Sequence, residues 1–182
     1  MSTLFVDTIN EKTSGNGIYI PGHVLQVKSA TKTDKQSFTS STAADVTGLS
    51  VSITPSSTSS KILVMVNISH SGTVNVYGAA FIKRGSTDIA LSTAGSGNQI
   101  NSTVALSTIN QDSSQYKLHE ASAIFLDSPA TTSATTYKVQ VAMTYSTGTV
   151  TINSPYRTDN YSYILNGVSN ITVMEIGRGR AQ

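Results

Sequence analysis

Tyr137-Lys138-Val139-Gln140-Val141-Ala142-Met143 alternates apolar and polar residues, and Ser50-Val51-Ser52-Ile53-Thr54 repeats the pattern. Alternation at period two puts the apolar groups on one face of a strand and the polar groups on the other. Nearly three residues in ten are Ser or Thr, charged residues make up 12%, and Trp and Cys are absent. Thr is β-branched, so it suits an extended backbone while its hydroxyl tolerates water. The pattern predicts an all-β body with hydroxyl-rich outer faces.

Working outward from these two segments, further strands are expected near Val24–Ser29, Lys61–Ser69, Ala79–Arg84, Ile89–Ser92, Ser122–Asp127, Thr149–Asn153, Tyr161–Leu165 and Ser169–Ile176. Pro55-Ser56-Ser57, Arg84-Gly85-Ser86, Ser128-Pro129-Ala130 and Thr147-Gly148 are turn signals between them. Short strands with regular breaks and no helical stretch predict a sandwich or barrel over residues 23–177. Residues 93–114 are rich in Gly, Ser and Asn and predict a long loop with a short strand around 102–106. Residues 1–22 form a separate unit. Leu4, Val6 and Ile9 belong to a first short strand, Asn16-Gly17 is a hairpin signal, and Ile18 and Ile20 belong to a second. A lone two-stranded ribbon is marginal in water and needs a partner surface. Residues 178–182 have the composition of a flexible tail.

Bulk composition excludes several functions. A net charge of +2 without a clustered basic face argues against nucleic acid. The longest apolar run, Ile62 to Val66, is far short of a membrane span. No basic segment followed by an apolar run opens the chain, so synthesis in a cytosol is expected. His23, His70 and His119 are far apart in sequence, and none has a partner at metal-ligand spacing. His119-Glu120 is the one His beside a carboxylate, but neighbours on a strand point to opposite faces. Neither a nucleophile elbow nor a phosphate loop is present, so no enzyme activity, metal or cofactor is expected. Glu175 shares a face with Ile171 and Val173 and is expected to meet solvent at a strand end, or to form a salt bridge between subunits.

Two segments depart from plain strand-and-turn grammar. One offers the amides of Asn98, Gln99 and Asn101; the other offers Tyr156, Arg157, Asp159, Tyr161 and Tyr163. Exposed Tyr beside Asn and Asp suits sugars, whose faces stack on rings and whose hydroxyls accept and donate hydrogen bonds. The competing expectation is that these rings pack at strand edges or between subunits.

Leu4-Phe5-Val6-Asp7-Thr8-Ile9 and Thr13-Ser14-Gly15-Asn16-Gly17-Ile18-Tyr19-Ile20-Pro21-Gly22 resemble the opening of fibre and appendage proteins of marine phages that infect cyanobacteria and pelagic bacteria. Three blocks in the body resemble the same group: residues 46–64, Phe81-Ile82-Lys83-Arg84-Gly85-Ser86-Thr87, and residues 126–137. The resemblance implies a virion structural protein with a jelly-roll-like β-sandwich, similar to trimeric domains of the tumour-necrosis-factor type. Under it, the N-terminal ribbon attaches the chain to other virion proteins or to sister chains. The sandwich then displays its loops to the host surface, with glycans as the expected partner. Phe81, Ile82, Phe125 and Leu126 are expected in the core or at the centre of a homotrimer. The alternatives are a capsid-surface fibre or decoration protein, and a carbohydrate-binding adhesin module.

Overall fold

The computed structural model of the chain describes residues 23–107, 115–145 and 147–177. The expected ribbon, with Leu4, Val6, Ile9, Ile18 and Ile20, and the tail at 178–182 lie outside the described residues. The described chain is built of β1 (Val24–Lys32), β2 (Gln36–Phe38), β3 (Ala44–Ile53), β4 (Lys61–Gly72), β5 (Tyr77–Arg84), β6 (Thr87–Ile89), β7 (Val104–Ser107), β8 (His119–Asp127), β9 (Thr135–Tyr145), β10 (Val150–Ile152) and β11 (Ser169–Ile176).

These strands make two antiparallel sheets. In the first, β8 pairs one side of β4. On its other side β4 pairs β11 over its first half and β10 over its last three residues, so β10 and β11 are collinear. β1 and β2 then flank that line. The second sheet runs β3–β9–β5, with β6 and β7 end to end beyond β5. Collinear pieces counted together, the chain crosses between the sheets at nearly every connection. This is the doubly wound Greek-key arrangement of a jelly roll. The fold is therefore the expected all-β, jelly-roll-like sandwich.

Period-two alternation is what closes it. Ile62, Val64, Val66 and Ile68 of β4 face inward and meet Tyr137, Val139 and Val141 of β9 and Ile171 and Val173 of β11 in one buried core. Of the four side chains expected in the core or a trimer centre, Ile82 is buried in the core and Phe125 packs partly against it. Phe81 is half-buried, and Leu126 stands 52% exposed.

Three expectations are corrected. Residues 161–165 form no strand; they carry a turn at 162–163 instead. The Tyr161 N–H donates to the carbonyl of Asp159 and the Ile164 N–H to that of Tyr161, which curls the backbone out of extension. The second correction concerns length: β2 was not expected at all, and β6 lies slightly earlier than the strand expected at 89–92. A three-residue strand is too short to show alternation.

The third correction is Glu175, which is fully buried and meets neither solvent nor a subunit. One carboxylate oxygen accepts from the Ser56 N–H at 2.7 Å and from the Ser56 and Ser60 hydroxyls at 2.6 Å each. The other accepts from the Gln26 amide at 2.6 Å. Burial pushes the Glu175 pKa up, but the hydrogen bonds from Gln26, Ser56 and Ser60 together outweigh it and hold the carboxyl below its ordinary value. A nearby carboxylate, Asp127, is held differently. It accepts from the Tyr137 hydroxyl at 2.7 Å and from the Arg84 guanidinium at 2.8 and 2.9 Å, and so ties the end of β8 to the opposite sheet.

Candidate functional site

Residues 153–168 leave the first sheet between β10 and β11 and return to the same strand line. Asn153 pins the departure. Its φ is +66°, a left-handed conformation that Asn tolerates better than most side chains. Its N–H donates to the Ser69 carbonyl at 2.8 Å, and its side-chain amide donates to the carbonyls of Lys32 and Asp34 at 2.8 and 3.2 Å. Its side-chain oxygen accepts from the Ser169 hydroxyl at 2.6 Å. The return is clasped to the departure, because the Gly167 N–H donates to the Asn153 carbonyl at 2.9 Å. Gly167 is required there, since a Cβ would collide with the Ser69 hydroxyl.

Between those pins the loop exposes rings. Tyr161 and Tyr163 stack with centroids 5.0 Å apart and planes 9° apart. Tyr116, more than forty residues earlier, meets the edge of Tyr163 at 6.4 Å. The Arg157 guanidinium lies 5.6 Å from the Tyr116 ring centre and donates to the Tyr116 hydroxyl at 3.1 Å. Tyr163 is 64% and Tyr161 54% exposed, so the stack faces outward. The Tyr163 hydroxyl has its pKa raised, first by desolvation and then by Tyr161, Tyr116 and Asp159, which keeps it a neutral donor. Of the expected set, Arg157, Asp159 and Tyr161 come together here. Tyr156 sits nearer the sheet, its N–H donating to the Ser71 hydroxyl at 3.3 Å. Sequence reasoning missed Tyr116. No local signal marks it, because it reaches the group only through the fold.

The amide-rich loop lies elsewhere, along β5. Asn98 and Ile100 line an open cleft of about 420 Å³ together with Tyr77, Ser102, Ser107 and Thr144. The other two expected amides are engaged within the loop. The Gln99 side-chain oxygen accepts from the Ser96 N–H at 3.0 Å, and that of Asn101 from the Gly95 N–H at 2.9 Å. Both therefore shape the loop, and Asn98 is the one of the three that lines the cleft.

Two of the three histidines converge, contrary to their separation in sequence. His70 and His119 are direct cross-strand partners, with ring centres 5.8 Å apart. Burial first, and His119 second, lower the His70 pKa to about 4. Among the described residues no group of three or more His, Asp or Glu is placed to hold a metal ion. Nor is any helix long and apolar enough to cross a membrane.

No family model matches the chain, and no curated protein matches it. Among solved structures, it is similar to a chain in the structure of infectious bursal disease virus Gx strain, at 12% identity and a TM-score of 0.33. The alignment covers 86% of this chain and 38% of that one, so this chain spans well under half of its length. A likeness this loose carries no function across.

Proposed function

We propose that the protein is a non-enzymatic structural component of a phage virion, a tail fibre or appendage. It assembles as a homotrimer, is anchored through residues 1–22 and binds host-surface glycan through the tyrosine loop. The observation that carries the glycan reading is the exposed Tyr161–Tyr163 stack beside Arg157, on a loop pinned at both ends to a rigid sandwich. Stacked rings suit the weakly apolar face of a sugar, and the Arg157 guanidinium and Asp159 carboxylate suit its hydroxyls. The resemblance of residues 1–22 and of the body blocks to phage appendage proteins supports the virion assignment.

The test is a glycan array probed with the intact protein and with a Tyr161→Ala/Tyr163→Ala variant. The expected result is selective glycan binding that falls at least tenfold in the variant, while melting shifts by less than about 3 °C. Equal binding by the two proteins overturns the glycan reading. Immunogold labelling of purified particles tests the virion assignment separately, and unlabelled particles overturn it.

A further inference from the structure

Among the described residues, one face of the sandwich is left uncovered. Leu126 of β8, Leu63 of β4, Met174 of β11 and Val27 of β1 are direct cross-strand partners, so four apolar side chains form a row across the first sheet. Ile124 and Met65 begin a second row beside it. The two rows point away from the core, and none of these six side chains belongs to the core cluster. Ile124 is 73% exposed. The opposite outer face shows that the chain can build a solvent surface: it carries Ser50, Ser52, Thr136, Lys138 and Gln140, with Lys138 bridged to Asp45 at 2.9 Å.

We propose that this apolar face is the interface between copies of the chain. The inference deepens the oligomeric part of the reading above by assigning it a surface. Three observations favour a second copy. The two rows hold no charged side chain, and Lys61 stands only at their border, so a partner selected by charge finds little to read there. They run from β1 to β8, each of which has a strand partner on one side only among the described residues, so both edges are open to further contacts. The extent also fits. Three inter-strand spacings give a width of about 14 Å and two rows a depth of about 13 Å, so the patch covers about 200 Å², the dry centre of an interface of about 800 Å² per partner. Each copy brings one uncovered face and one cover for it, a balance that a closed symmetric assembly satisfies.

The test is light scattering on the full chain at micromolar concentration. The wild type should run as a small multiple of 19.1 kDa. Ile124→Lys/Leu126→Lys should bring the mass down to one chain while keeping a strand-type circular dichroism spectrum, and Ser52→Lys/Thr136→Lys on the other face should leave it unchanged. If the lysines unfold the sandwich, Ile124→Cys answers instead. The chain has no cysteine of its own, so a short bis-maleimide should cross-link copies through that position and not through Ser52→Cys. An Ile124/Leu126 variant that stays multimeric, or absent cross-linking in a multimer, overturns the assigned face and leaves the oligomeric reading standing. A monomeric wild type overturns both. If deleting residues 1–22 from that monomer then makes it multimeric, the cover was the chain's own N-terminal segment.

Discussion

Strand β4 is two strands in one. From Lys61 to Met65 its outward side chains are Lys61, Leu63 and Met65, the last two in register with Leu126, Ile124 and Met174, and among the described residues none lies over this pair. From Asn67 to Gly72 its outward side chains are Asn67, Ser69 and Ser71. The loop at 153–168 rests on the serines through Asn153, Tyr156 and Gly167. The inward side chains continue the core through both halves, until His70 replaces an aliphatic residue. The difference teaches a rule about cover. Where the chain covers its own sheet, the contact is polar and made of specific hydrogen bonds. Where it does not, the surface is apolar and suited to any flat apolar partner.

The largest effect should fall on the covered half. Asn153→Ala removes buried hydrogen bonds to Lys32, Asp34 and Ser169 and puts Ala in a left-handed conformation, so it should cost about 4 kcal/mol in urea unfolding. A cost below about 1 kcal/mol breaks the claim that this half depends on specific bonds.

Acid should come next. His70 is neutral and buried, with its pKa lowered from 6.5 to about 4, so the unfolded state takes up the proton first. The stability present above pH 6.5 should fall by about 3 kcal/mol as pH drops to 4. His70→Leu should flatten that window, and an unchanged slope would show that another group titrates there.

Beneath the bare half, Glu175→Gln keeps the shape but turns one acceptor into a donor facing groups that already donate. Its expected cost is about 2 kcal/mol at pH 7. The Glu175 pKa is lowered in the fold, so its contribution is present above 4.5 and is lost as pH falls through the folded value. The penalty of the substitution should shrink in acid; a penalty independent of pH would mean that the charge is irrelevant.

The smallest effect belongs to the opposite sheet. Lys138→Ala breaks an ion pair with the exposed Asp45, and melting should show a loss of no more than about 0.5 kcal/mol. A larger loss would mean that the second outer face is not a plain solvent surface.

The long strands were legible because alternation survives in sequence: β4, β9 and β11 were placed within a few residues, which gave a sandwich or barrel, while the jelly-roll topology came only with the resemblance. What was not legible depends on register. The meeting of His70 with His119 exists only because β4 and β8 pair at one offset. The alternation correctly put Glu175 on the side of Ile171 and Val173. Its partners Gln26, Ser56 and Ser60 are all more than a hundred residues away, so the sequence pointed only to solvent or another subunit as its companion. Tyr161–Leu165 was misread because Tyr and Ile favour strands, and the local turn bonds override that preference. At the tyrosine site, the cluster from Arg157 to Tyr163 could be read directly, and Tyr116 could not.

The clasp between Asn153 and Gly167 has a further consequence. Because the chain leaves and rejoins a single strand line at almost one point, residues 154–166 form an Ω-loop whose ends the sandwich holds whatever lies between. Closure entropy grows only with the logarithm of length, so doubling such a loop costs about 0.6 kcal/mol. Residues 157–166, beyond the buried Ser154 and Pro155 and the Tyr156 contact to Ser71, are thus an exchangeable cassette: longer or different sequences can be spliced there, and the framework that carries them need not change.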